Sequence, residues 1–148
     1  MRNVPGLCVK DCSDANIVFE QNRRRVCFFN PDRQTYKCVQ VDGCAITEGL
    51  RCDNMLTSGD ERCEYFVELK GTDVKHAIEQ LRVSIQTIGE FTDDRSAYVV
   101  STNVAPALTT TIQRAKRDFR NNLHAELIIK EKQTTIRLNK NEQHNAQL

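Results

Sequence analysis

At Gly71 the apolar residues stop recurring at every second position and begin to recur at every third or fourth, and no other feature of this 148-residue chain constrains its fold as strongly. On the upstream side Val67 and Leu69 alternate with Glu68 and Lys70, the period of a strand, whose side chains point to opposite faces in turn. On the downstream side Val74, Ile78, Leu81, Ile85 and Ile88 are spaced four, three, four and three, which predicts a helix with one buried stripe. Thr72 or Asp73 is placed to cap it, because either side-chain oxygen can accept from the free amides of a first helical turn. A polar turn at 92–95 follows, then a short apolar run at 97–101 that suits a buried strand. Leu108, Ile112, Ala115 and Phe119 mark a second amphipathic helix over 106–122, with Pro106 in its first turn.

The flanks read less sharply. Residues 26–29 and 36–41 enclose Asn30-Pro31-Asp32-Arg33, a turn-forming cluster, and the expectation is a hairpin. Strands at 51–56 and 65–70 are separated by Thr57-Ser58-Gly59-Asp60, again turn chemistry. A last pair of strands is expected at 125–130 and 134–138, around Glu131-Lys132-Gln133. Before Arg25 the pattern is weak: residues 14–25 fit either a short helix or a strand at 16–20. The order hairpin, strand, strand, helix, strand, helix, strand predicts an α/β domain, a mixed β-sheet flanked by helices. One domain over 1–148 is expected, with a core at 37–138 and a loose polar tail at 139–148.

A formal net charge of +1 excludes a strongly basic nucleic-acid coat, so any phosphate binding has to come from local clusters. There are two such clusters, Arg23-Arg24-Arg25 and the set Arg114, Lys116, Arg117 and Arg120 on the second predicted helix. With no Trp and three Tyr, stacking on exposed bases is not favoured. The chain has no 18-residue apolar stretch and no leader-like N-terminus, which predicts a soluble cytoplasmic protein without a membrane partner. Seven cysteines, an odd number with no Cys-x2-Cys pair, predict reduced thiols ahead of a disulfide framework; a structural zinc at Cys8-x3-Cys12 is the competing explanation. His76 and His124 have no Cys or His partner at ligand spacing and are expected at the surface.

The segment that carries chemistry is Arg51-Cys52-Asp53 followed by Phe66-Val67-Glu68-Leu69-Lys70-Gly71. Glu68 and Lys70 share one strand face, and a hairpin through 57–62 sets Asp53 beside them. If the 47–50 loop closes with Ile46 opposite Arg51, Cys44 faces Asp53 and Asp42 joins the same face, although a one-residue slip reverses this. Carboxylates so gathered suit Mg²⁺ or Mn²⁺, which bridge to phosphate oxygens, and an adjacent lysine can position water or stabilise a pentavalent transition state. A Glu-x-Lys on a strand is otherwise an ordinary solvated ion pair.

With Asp53, Glu68-x-Lys70 and the following helix in place, residues 37–102 resemble the restriction-endonuclease-like PD-(D/E)xK nucleases. The resemblance implies a restriction-endonuclease-like core, with Asp53 as the motif Asp and metal ligand and Glu68 as the second ligand. It implies that Lys70 is the water-positioning base or transition-state cation and that Gln80 is the supporting glutamine of the helix. Departures are Cys52 in place of the motif proline and Ser84 where one branch carries Tyr. The acid of the family's first helix has Glu20 as its upstream candidate. The implied function is a Mg²⁺- or Mn²⁺-dependent nuclease hydrolysing DNA phosphodiester bonds within a defence, repair or mobile-element system, as a homodimer or a subunit of a larger complex. Asp42 is a third candidate metal ligand, and Arg24, Arg114, Arg117 and Arg120 are candidate nucleic-acid contacts. The alternative is a catalytically silent subunit or nucleic-acid adaptor of the same fold. Cys44 and Cys52 neighbour the site, but no His is placed to activate either as a nucleophile.

Overall fold

In the computed structural model the change of period at Gly71 marks the joint between a central strand and the helix that covers it. The structure describes residues 1–90 and 92–138; the tail expected at 139–148, with His144, lies outside the described residues. The strands are β1 (Val9–Cys12), β2 (Asn16–Gln21), β3 (Arg24–Phe29), β4 (Tyr36–Gln40), β5 (Asn54–Ser58), β6 (Cys63–Lys70), β7 (Asp94–Ser101), β8 (Glu126–Glu131) and β9 (Gln133–Arg137). Helix α1 (Val74–Ile88) joins β6 to β7, and α2 (Thr109–Leu123) joins β7 to β8. Asp73 caps α1, its carboxylate accepting from the His76 amide at 3.0 Å. Pro106 opens a single 3-10 turn ahead of α2.

Six strands form a mixed sheet in the order β1-β4-β5-β6-β7-β8, antiparallel from β1 to β6 and parallel from β6 to β8. The parallel half follows from its connections, since helical crossovers return the chain to the same end of the sheet. All five residues of the predicted α1 stripe are buried and pack with Phe66, Val99, Phe119 and Leu127 in one core. The opposite face is covered by a second, three-stranded sheet, β2-β3-β9, and not by helices. Ile17, Val26 and Phe28 from that sheet meet Tyr65, Val67, Leu69, Tyr98 and Val100 in a second core, where the Phe28 ring lies 5.4 Å from that of Tyr65 and 6.0 Å from that of Tyr98. Strand β6 is consequently buried on both faces, with Phe66 and Glu68 toward the helices and Tyr65, Val67 and Leu69 toward the second sheet.

Two sequence expectations about strand pairing change. Residues 26–29 and 36–41 are not a hairpin: β3 pairs with β2 and β9, whereas β4 pairs with β1 and β5. The turn between them carries the chain from one sheet to the other around Asn30, which is 1% exposed. Its amide donates to the carbonyls of Asp14 and Gln34 at 3.2 and 2.8 Å and accepts from the Gln34 amide at 3.1 Å, so the side chain fixes an out-of-plane corner. The last two strands likewise do not pair with each other. Lys132, in the left-handed region at φ 63°, breaks the chain between β8, which pairs with β7, and β9, which runs parallel to β3. The weak segment before Arg25 is a strand, β2, and Glu20 sits on it beside Arg25 at 3.7 Å, so no upstream helix carries an acid toward the site. Cysteine chemistry differs too: Cys8 and Cys44 form a disulfide, which removes Cys8 from any zinc pair with Cys12.

Candidate active site

Asp53 sits at the bend entering β5, one residue before the Asn54–Val67 pair, and therefore beside Glu68. Its backbone is bonded on both sides there, the Asp53 amide donating to the Val67 carbonyl at 3.1 Å. The carbonyl of Asp53 accepts from the amides of Val41 and Asp42 at 3.1 and 3.3 Å, while its Oδ2 accepts from the Leu69 amide at 2.7 Å. The carboxylate thus takes a place that a backbone oxygen fills elsewhere in the sheet, and its position is fixed by the strand that bears Glu68 and Lys70.

Glu68 is 3% exposed, and its Oε1 is buried without a hydrogen-bond partner. Burial, the Asp53 charge and a hydrogen bond to Asp53 push its carboxyl up to about 8. Burial raises Asp53 as well, opposed by the Leu69 amide and by the hydrogen bond from Glu68. The Lys70 ammonium lies close enough to lower both. Two adjacent acids in a dry setting hold either a proton or a cation, since neither tolerates the other's charge unscreened.

Helix α1 supports this arrangement from one side. Gln80 donates through Nε2 to the Arg51 carbonyl at 3.1 Å and leaves its own Oε1 buried and unpartnered. One turn on, the Ser84 hydroxyl donates to the Gln80 carbonyl and accepts from the Cys52 amide, both at 2.8 Å. Ser84, a residue singled out in the sequence only as a departure, is thus the clamp that holds Cys52, the residue immediately before Asp53. A lone serine on a helix carries no pattern that reveals this role. Burial pushes the Cys52 thiol up to about 12, which leaves it inert as a nucleophile.

Other expected members stand apart. Cys44 does not face Asp53; it is in the disulfide, on a tight loop in which Asp42 bridges to Ile46. The register slipped because the loop closes within 41–46, where Gly43 at φ 76° lets the backbone turn early. The Asp42 side chain is held by Arg51 Nε at 2.6 Å and acts on the Asp53 carboxylate through its charge, which raises it. Among the described residues no group of three or more His, Cys, Asp or Glu side chains forms a ready metal site. The donor set is therefore two carboxylates with an orphaned buried oxygen, which fits a hard divalent cation that keeps several of its own waters.

The basic residues divide. Arg24, on the inner face of the second sheet, donates to Thr102 Oγ1 at 3.3 Å and has a buried, unpartnered Nε. The Thr102 amide donates to the Gly71 carbonyl at 2.8 Å, which places Arg24 at the same strand ends as Lys70. Arg114, Arg117 and Arg120 are exposed on α2; Arg114 lines a groove of about 450 Å³ between the two helices together with Lys75, Arg82 and Asp118. His76 and His124 are exposed, as expected. A cavity of about 630 Å³ opens beside Arg95 and Glu90, toward the opposite end of β6 from Lys70, and includes none of the carboxylate pair.

No family model, curated protein or solved structure matches this chain. No helix among the described residues is long and apolar enough to cross a membrane.

Proposed function

We propose that this chain is a metal-dependent nuclease that hydrolyses phosphodiester bonds, of DNA in the first instance, on a restriction-endonuclease-like core. The observation that carries the reading is the placing of Asp53 beside the buried Glu68, whose Oε1 has no hydrogen-bond partner, with Lys70 next on the same face. Asp53 and Glu68 are the residues to hold Mg²⁺ or Mn²⁺, which supplies Lewis acidity at a phosphate oxygen and a bound water of lowered pKa. Lys70 positions the attacking water and stabilises charge on the phosphate oxygens. Gln80 fixes the Arg51 backbone and keeps the loop before Asp53 in register, and Ser84 does the same at Cys52. Arg24 lies toward the path of a phosphate backbone leaving these strand ends; Arg114, Arg117 and Arg120 offer a more distant contact.

The test is incubation of wild type and Lys70→Ala with plasmid, linear duplex, single-stranded DNA and RNA, in Mg²⁺, Mn²⁺ or EDTA. Cleavage by wild type, abolished by EDTA and by Lys70→Ala in a folded variant, is the expected result. Full metal-dependent cleavage by Lys70→Ala would overturn the assignment.

A second reading, a catalytically silent adaptor within a larger complex, is favoured by one observation: Asp42 is taken up by Arg51, leaving two acids and no third. Calorimetry with Mg²⁺ or Mn²⁺ separates the readings. Binding that disappears in Asp53→Ala supports the nuclease, and its absence with and without DNA supports the adaptor.

A further inference from the structure

Four cysteines cluster where the edge strand β1 joins the sheet, and only two of them are linked. The disulfide ties Cys8, just before β1, to Cys44, in the loop beyond β4. Four residues along, Cys12 ends β1, and the pairing of Lys10 with Cys38 and of Cys12 with Tyr36 sets Cys12 and Cys38 diagonally across the two strands. Both lie on the same face, at the rim of the second core, and both are half-buried free thiols. Cys27, Cys52 and Cys63, the remaining free cysteines, are buried.

Burial, together with the neighbouring Cys12 sulfur, holds the Cys38 thiol above its ordinary value, with the Lys10 ammonium opposing. The Cys12 thiol donates to the Lys10 carbonyl at 3.7 Å. Cys12 ends the edge strand, whereas Cys38 lies on β4 between β1 and β5, so an incoming disulfide reaches Cys12 first and Cys38 is placed to resolve it. Among the described residues no third ligand joins them in a metal site, so redox chemistry is the use that the pair fits.

We propose that Cys12 and Cys38 are a redox-active dithiol, which a low-molecular-weight disulfide such as oxidised glutathione converts into a second covalent link between β1 and β4. The Cys12 thiolate attacks one glutathione sulfur, the disulfide's S–S bond breaks, and one glutathione thiolate leaves. The Cys38 sulfur then loses its proton to solvent, attacks the Cys12 sulfur of the mixed disulfide and expels the second glutathione thiolate. In sum the two protein thiols give up two electrons and two protons, and one glutathione disulfide becomes two glutathiones. The product adds a second covalent tie to an edge strand whose neighbour in the sheet is β4 and whose start is already held by the Cys8–Cys44 disulfide. The inference is independent of the nuclease reading.

The experiment is peptide mapping of the native chain before and after exposure to oxidised glutathione, with free thiols alkylated in denaturant and no reductant added. Trypsin places Cys8, Cys12 and Cys38 with Cys44 on peptides 3–10, 11–23 and 38–51. Before oxidation, peptides 3–10 and 38–51 are expected to be joined and Cys12 and Cys38 to be alkylated. Afterwards, all three peptides are expected in one assembly lacking both alkyl groups, with Cys27, Cys52 and Cys63 still alkylated. Cys38→Ser is expected to trap a glutathione adduct on Cys12, and Cys12→Ser to leave Cys38 unmodified. The proposal is overturned if wild type keeps both thiols alkylated after exposure, or if it accumulates the Cys12 adduct without the link to Cys38.

Discussion

Glu68 is the residue whose surroundings differ most from those its sequence neighbourhood suggests. On an ordinary strand it would be one half of a solvated pair with Lys70; here it is 3% exposed and held near 8 by burial and by Asp53. The sign of the consequence follows from which state binds the proton more tightly. Folding raises this carboxyl from an ordinary 4.5, so the folded chain retains a proton that the unfolded chain has already released. Below the ordinary value both states are protonated and nothing is lost. As pH rises through the window up to about 8 the folded state loses stability relative to the unfolded one, by at most about 1.4 kcal/mol per pH unit, and then levels off. Urea unfolding in EDTA across that window is expected to show the decline in wild type and a flatter profile in Glu68→Gln. Equal slopes for the two proteins would show that the carboxyl is not perturbed by folding. The residues of this pair were legible in the sequence as Asp53 and Glu68-x-Lys70, because strand parity fixes which side chains share a face. Their burial was not, because it depends on α1 closing over β6.

At the scale of elements, α1 was readable almost residue by residue, since a 15-residue stretch with one apolar stripe and an Asp cap leaves little choice of conformation. What the helix does for the site was not readable, because Gln80 and Ser84 act through backbone groups of residues 51 and 52, which no periodicity connects to them. Ser84→Ala removes the acceptor of the buried Cys52 amide and is expected to cost about 1–3 kcal/mol in urea unfolding, the cost of an unsatisfied buried donor. Asp73→Ala, at the exposed start of the same helix, is expected to cost about 1 kcal/mol, and to do so without affecting metal binding. A Ser84→Ala loss no larger than that of a surface substitution would remove the clamp from the account. The misread hairpin around residues 30–33 belongs to this scale as well. Turn-forming residues state that the chain reverses or bends, and only the bonds made by Asn30 decide that it leaves the plane of the sheet.

The whole molecule is two cores separated by one sheet, and strands β5, β6 and β7 contribute to both. At the end of β6 opposite Lys70, Glu64 is fully buried against Arg95, which also donates to the Leu123 and Glu90 carbonyls and so ties α2 and the end of α1 to the sheet. Because the central sheet is shared, the second sheet is expected to unfold with the first and not as a separate unit. The chain has no Trp, and its three tyrosines, Tyr36, Tyr65 and Tyr98, all lie in the second core, so tyrosine fluorescence reads that core while far-ultraviolet circular dichroism reads the whole. Coincident urea transitions are expected by both probes, and Phe28→Ala, which empties the contact between the sheets, is expected to lower both together by about 3–5 kcal/mol. A tyrosine transition that precedes the dichroic one would show instead that the second sheet detaches first.

By itself the sequence determined the α/β class, the helices, most strand positions and the face shared by Glu68 and Lys70, since each of these follows from periodicity and capping within a dozen neighbouring residues. Tertiary structure alone decided that a second sheet, and not helices, covers the far face, that Arg24 reaches Thr102 at the strand ends, and that Cys8 finds Cys44. It also decided that Asp42 pairs with Arg51 and not with the carboxylate pair. Those outcomes join residues far apart in the chain or depend on a register set by where a glycine-containing loop turns, and local patterning carries no record of either.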